Sequence, residues 1–147
     1  MQSSKKDNLF SSAEGKLYNY KKIKAEIEKI DIDMQMIKND YRGCSGVEIK
    51  EKTSKTYDIK SVIEIETEEK EKKIALKEKE KRHKELIIEK IDNAMKILSE
   101  EEKKIVQYKY FSSSRTSWEY VGRMIGFSAS KCKQMRFDII DKIKGLL

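Results

Sequence analysis

Ser128, Ser130, Lys131, Lys133, Gln134 and Arg136 crowd into one short stretch near the C-terminal end of the sequence. No Asp or Glu interrupts the run from Ser128 to Phe137. Lysine and arginine suit phosphate oxygens or guanine edges, and the glutamine amide, donor and acceptor at once, suits adenine. Ser128 is a good N-cap, and a helix that starts there turns unpaired N–H groups and a positive dipole end toward an anion. Arg115 and Arg123, a little upstream, add two more cations of the same kind. The chemistry on offer is recognition of a nucleic acid, with no bond made or broken.

Such residues work only if a frame presents them. Cys132, Met135, Ile139 and Ile143 step by three, four and four, which predicts one inward stripe on a helix. Ser130, Lys131, Lys133 and Gln134 then face outward, with Arg136 on a flank. Phe137 also falls outward, where packing on another helix and contact with a thymine methyl both remain open. Upstream, Gly126 is placed to end a short helix in the left-handed conformation, and Phe127 follows as a buried plug. That short helix opens at Thr116-Ser-Trp-Glu119, a capping box, and its apolar side is Trp118, Val121, Met124 and Ile125. Before it, Ser99-Glu-Glu-Glu102 opens a further helix, with Ile105, Val106, Tyr108 or Lys109, and Tyr110 inside. Phe111-Ser-Ser-Ser-Arg115 breaks that helix. A short helix, a glycine turn and a second helix with an inward stripe form the helix-turn-helix pattern, whose second helix enters the major groove of double-stranded DNA.

The preceding residues predict an all-α architecture: a long helical hairpin, coiled-coil-like, ahead of a C-terminal helix-turn-helix domain. Residues 1–12 read as a flexible N-terminus. From Ser11-Ser-Ala-Glu14, a capping box, a helix runs over about 13–41 with Leu17, Tyr20, Ile23, Ile27, Ile30, Met34, Ile37 and Tyr41 as a heptad-like seam. Gly43 and Gly46 end it, and 42–58 read as a loop. A second helix covers about 60–97. Val62, Ile63 and Ile65 anchor its start, and Leu86, Ile87, Ile91, Ala94, Met95 and Leu98 its end. Its middle is mostly Glu and Lys, a solvated face whose glutamates cancel its lysines as phosphate contacts. The seam of the first helix suits packing within one chain or across a homodimer. The domains are therefore 1–12, 13–97 and 98–147.

Bulk composition agrees with narrow apolar stripes. Charged residues make up 40% and hydrophobic ones 37%, too polar for one large core, and the absence of proline leaves long helices unobstructed. The net charge is +7, of which residues 99–147 carry +4. Cys44, Cys132 and His83 are too few for a four-ligand zinc site, and no cofactor is expected. The first residues lack a signal peptide's apolar run, and no stretch is long enough to span a membrane, so a cytoplasmic protein is expected. Phosphate-binding loops, dinucleotide fingerprints, nucleophile elbows and metalloprotease motifs are missing, so an enzyme is not expected.

Ser117-Trp-Glu-Tyr-Val-Gly-Arg-Met-Ile-Gly-Phe-Ser-Ala-Ser-Lys-Cys-Lys-Gln-Met-Arg136 resembles the fourth conserved region of bacterial sigma factors. The likeness lies in Val121-Gly122, in the Gly126-Phe127-Ser128 turn and in the run Cys132 to Met135; Leu98-Ser-Glu-Glu resembles that region's opening. Ala129 stands where such helices often carry a basic residue. Residues matching the other sigma core regions are absent, so a complete sigma factor is not expected. The arrangement as a whole, with Tyr108-Lys-Tyr-Phe111 before the turn, is similar to the RinA/ArpU group of phage-encoded transcriptional activators. That resemblance implies a phage or prophage late-gene activator that binds DNA and contacts RNA polymerase, with the long helices dimerising the protein or recruiting the polymerase. Two other expectations stand beside it. A DNA-packaging recognition subunit like a small terminase would form a ring-sized oligomer. A structural coiled-coil interaction protein would bind no DNA at low salt.

Overall fold

The computed structural model describes residues 2–40, 62–112 and 114–147, with side chains from Asn8 and from Ile63 onward in the first two stretches. Among the described residues the chain is all-α: five helices and no strand. They are α1 (Gln2–Asn39), α2 (Val62–Met95), α3 (Glu100–Lys109), α4 (Trp118–Ile125) and α5 (Ala129–Ile143). The expected loop 42–58, Tyr41 and Cys44 lie outside the described residues. No described helix is long and apolar enough to cross a membrane.

The chain divides into two compact units, one of Met1–Ile27 with His83–Leu147, the other of Glu28–Arg82. The first is wider than the expected 98–147 domain. It draws Ala13, Leu17 and Tyr20 from α1, and Ile88, Ile91 and Ala94 from α2, into one core with the C-terminal helices. Leu98, Ile105, Val106, Tyr110, Ile139, Ile140 and Ile143 complete that core. The expected loose segment 1–12 is helical from Gln2, and Phe10 packs on the core. The reason is spacing: Phe10, Ala13, Leu17 and Tyr20 step by three, four and three, so the seam of α1 extends one turn before the capping box. Tyr20 closes this side, stacked on Phe111 at 4.0 Å and donating from Oη to Asp92 Oδ1 at 2.7 Å.

α2 ends where its last amides bond three residues back, Lys96 to Asn93, Ile97 to Ala94 and Leu98 to Met95. This tighter turn leads into Ser99, whose side chain accepts from Glu102 N while Glu102 Oε2 accepts from Ser99 N at 2.9 Å. The expected capping box at α3 is thus present in full. Glu102 is buried, and Lys142 of α5 donates to its Oε1 at 2.5 Å. Burial alone would raise that carboxyl, but Lys142 and the Ser99 amide hold it below the usual carboxylate range.

The unit Glu28–Arg82 has a seam of a different composition. Ile30 is buried, Met34 and Ile37 are half-buried, and on α2 the half-buried positions include Glu66, Lys70, Ile74, Lys77 and Lys81. Lysine stems cover apolar surface there while their ammoniums reach carboxylates: Lys77 to Asp33 at 3.0 Å and Lys81 to Asp31 at 2.6 Å. The expected anchors Ile63 and Ile65 are instead 64% and 47% exposed. Ile65 falls off the three-and-four register that Lys70, Ile74, Lys77 and Lys81 keep; Ile63, seven positions before Lys70, keeps it and is exposed all the same.

Candidate nucleic-acid interface

Three local devices set α4 and α5. The N-cap of α4 is Ser117, which accepts from Tyr120 N at 3.2 Å, not the expected Thr116. Thr116 is drawn elsewhere: its hydroxyl donates to Tyr108 O at 2.8 Å and ties the connection back onto α3. Gly126 ends α4 with φ of 80°, the left-handed conformation that its position predicts. Ser128 then caps α5, accepting from Lys131 N at 3.1 Å.

Gly122 explains how close the two helices come. A methyl group at that position would lie 2.4 Å from Phe127 O and 3.3 Å from Ala129 N, both backbone atoms. Only glycine lets the turn fold onto α4 here. Val121 beside it and Cys132 on α5 are fully buried. The Cys132 thiol is pushed up by burial, so it behaves as a core side chain. Trp118 and Ile125 pack on the core, with Lys109 Nζ 4.7 Å from the Trp118 ring. Met124, expected on the same inner side, is 47% exposed; Val121 and Gly122 already centre the buried face. Phe127 is half-buried.

On α5 the inward stripe is Cys132, Ile139, Ile140 and Ile143, with Met135 partly buried against the core. Ser128, Ser130, Lys131, Lys133 and Gln134 are all exposed, on one capped helix start. Arg123 is exposed on α4. Arg115 is exposed in the α3–α4 connection, where its charge acts on Lys109 and Tyr18.

Arg136 departs from the sequence expectation most sharply. Its guanidinium turns back into the unit, donating from Nε to Glu14 Oε1 at 2.6 Å and from Nη2 to Glu14 Oε2 at 2.7 Å. Tyr110 Oη donates to the same Glu14 Oε1 at 2.6 Å. Burial works against the charged Glu14, yet the bonds from Arg136 and Tyr110 outweigh it and hold the carboxyl below its ordinary range. The bond to Glu14 also raises Arg136, and burial with the Glu14 bond pushes Tyr110 well above an ordinary phenol. A bidentate pair of this kind fixes orientation as well as charge. The expected cation on the flank of α5 is a strut between α5 and α1.

Glu14 and Phe10 are the participants that sequence reasoning missed, although their spacing of four and the apolar steps through Ala13 and Leu17 were available. Glu119, on the first turn of α4, is a further omission. It is exposed, and its carboxyl is lowered by its own backbone amide and Ser117, with Lys133 contributing. One acid therefore lies near the outward lysines. Among the described residues no cluster of three metal-capable side chains occurs. No protein-family model, curated protein or solved structure matches the chain.

Proposed function

We propose that this chain is a sequence-specific double-stranded DNA-binding transcription regulator, with α4 and α5 as its helix-turn-helix and the start of α5 in the major groove. The observation that carries the reading is the exposed row Ser128, Ser130, Lys131, Lys133 and Gln134 on one capped helix start. Gly126 and the close approach at Gly122 hold that row at a fixed angle to α4. From Ser128 to Phe137 the helix rises about 14 Å, enough to lie across a groove about 12 Å wide. Beyond it Asp138 and Asp141 are exposed, which limits the groove-facing part to this first stretch.

Lys131, Lys133 and Arg123 bind phosphates or guanine, Gln134 and Ser130 read base edges, and Arg136 supports the helix from behind. The likeness to sigma region 4 and to RinA/ArpU-type activators makes a phage or prophage late-gene activator the most specific form of this reading, with RNA polymerase as protein partner. The ion pairs of Asp31 with Lys81 and Asp33 with Lys77 suit a helical hairpin as the remaining element.

Binding of the full chain to DNA from its own upstream region, measured against random DNA across a salt series, tests the reading. Preference for the upstream DNA supports it; equal affinity for both removes it. Replacing Lys133 and Gln134 together by Ala is expected to cost about 1–3 kcal/mol at the preferred site. Lys131→Ala is expected to weaken all sequences alike and to flatten the salt slope by about one unit. An unchanged affinity in the double variant would move the recognition surface away from α5.

A further inference from the structure

Phe137 is 57% exposed, a large apolar ring on the outward side of a charged helix. Its ring is nevertheless held. Phe10 of α1 lies against it with centroids 5.6 Å apart and planes tilted by 33°. The Arg136 guanidinium sits 5.4 Å from the Phe137 ring and 5.3 Å from the Phe10 ring. Arg136 is in turn anchored by its two bonds to Glu14. Two groups, Phe10 and the Glu14-anchored Arg136, thus set the ring while more than half of it stays open.

The register of the ring matters as much as its exposure. Ser130, Gln134 and Phe137 stand at i, i+4 and i+7, so they share one stripe on the side of α5 opposite Cys132, Ile139 and Ile143. Two hydrogen-bonding side chains and one apolar one therefore face the same way. After Phe137 that side becomes acidic, with Asp138 and Asp141 exposed and Asp141 paired to Lys144. The edge of a major groove offers one apolar group, the C5-methyl of thymine. Resting on the DNA-binding reading above, we propose that Phe137 is a specificity-determining residue that packs on a thymine C5-methyl beside the base pair faced by Gln134. Phe10 and Glu14 are its positioning residues, so α1 sets part of the sequence preference without touching a base.

The test uses the full chain and the DNA that it enriches from a random pool. Each thymine of the enriched site is replaced in turn by deoxyuridine, which removes the methyl alone. One replacement is expected to weaken binding by about fourfold, the worth of one buried methyl. Phe137→Ala is expected to bind the thymine and deoxyuridine sites equally, and Phe137→Leu to keep part of the discrimination. A Phe137→Ala protein that still discriminates to the full extent shows that the methyl is read elsewhere and overturns the proposal. So does a site at which no deoxyuridine matters to the unmodified protein, and that arm needs no variant to fold. In both cases sequence-specific binding stands. A pool that enriches no sequence removes the regulator reading and this inference together.

Discussion

Glu14 holds two donors from different helices, the Arg136 guanidinium and the Tyr110 hydroxyl, within 2.7 Å. Its replacement by Gln leaves the shape but halves the acceptor capacity. Charge-assisted hydrogen bonds of this kind contribute about 1.5–3 kcal/mol each when intact. With Arg136 partly open to water, Glu14→Gln is expected to lower unfolding stability by about 1–3 kcal/mol in a urea titration. Glu14 and Glu102 both sit below the ordinary carboxyl value of 4.5. In the window between their lowered native values and 4.5 the folded state binds fewer protons than the unfolded chain. Their stabilisation is therefore complete above about pH 4.5 and drains away as pH falls through the native values. A melting temperature followed from pH 7 to pH 3 should hold level and then drop, and the paired variant Glu14→Gln with Glu102→Gln should flatten that drop.

At the scale of elements, the close approach of α4 to the start of α5 rests on Gly122. Gly122→Ala must displace the Phe127 carbonyl or open the turn, and overpacking of this sort costs about 1–3 kcal/mol. Thermal melting reads that loss, and on the proposed function DNA affinity should fall with it, because the turn at Gly122 sets the start of α5. Much of this region was legible beforehand for a physical reason. The caps Ser99 and Ser128, the left-handed Gly126 and the stripe of Cys132, Ile139 and Ile143 are set by residues within a few positions of one another. Thr116 shows the limit of such reasoning: its spacing to Glu119 makes it the expected cap, but a carbonyl on α3 takes its hydroxyl and Ser117 caps α4 instead. The pairing of Arg136 with Glu14 was not legible, because the partner lies more than a hundred positions away. On α2 the apolar Ile63 and Ile65 are exposed, whereas the half-buried positions include Lys70, Lys77 and Lys81, whose stems hydropathy counts as surface. The ion pairs of that register are half-exposed, so Asp31→Asn with Asp33→Asn should cost less than about 1 kcal/mol.

For the molecule as a whole, the unit that carries α5 is assembled from both ends of the described chain. Leu17 has no exposed surface, and Ile91 is only 1% exposed. Leu17→Ala should therefore cost about 2–5 kcal/mol in the unit that carries α5, read by chemical denaturation. For the same reason a fragment of residues 98–147 alone should lack a cooperative melt, since Ala13, Leu17, Ile88 and Ile91 no longer cover Ile105, Ile139 and Ile143. A fragment that melts sharply would contradict the shared core.

The bond from Lys16 Nζ to the carbonyl of Leu147 spans 131 positions, and that from Arg136 to Glu14 spans 122. Contacts of such separation close late, since a long loop must first be ordered. During synthesis the first turns of α1 leave the ribosome long before α5 exists. Phe10 and Glu14 must wait without Phe137 and Arg136 until α5 arrives. The unit that presents Lys133 and Gln134 is therefore finished only when translation has carried α5 clear of the ribosome. A nascent or interrupted chain has no assembled α5 frame and, on the proposed function, nothing with which to occupy DNA.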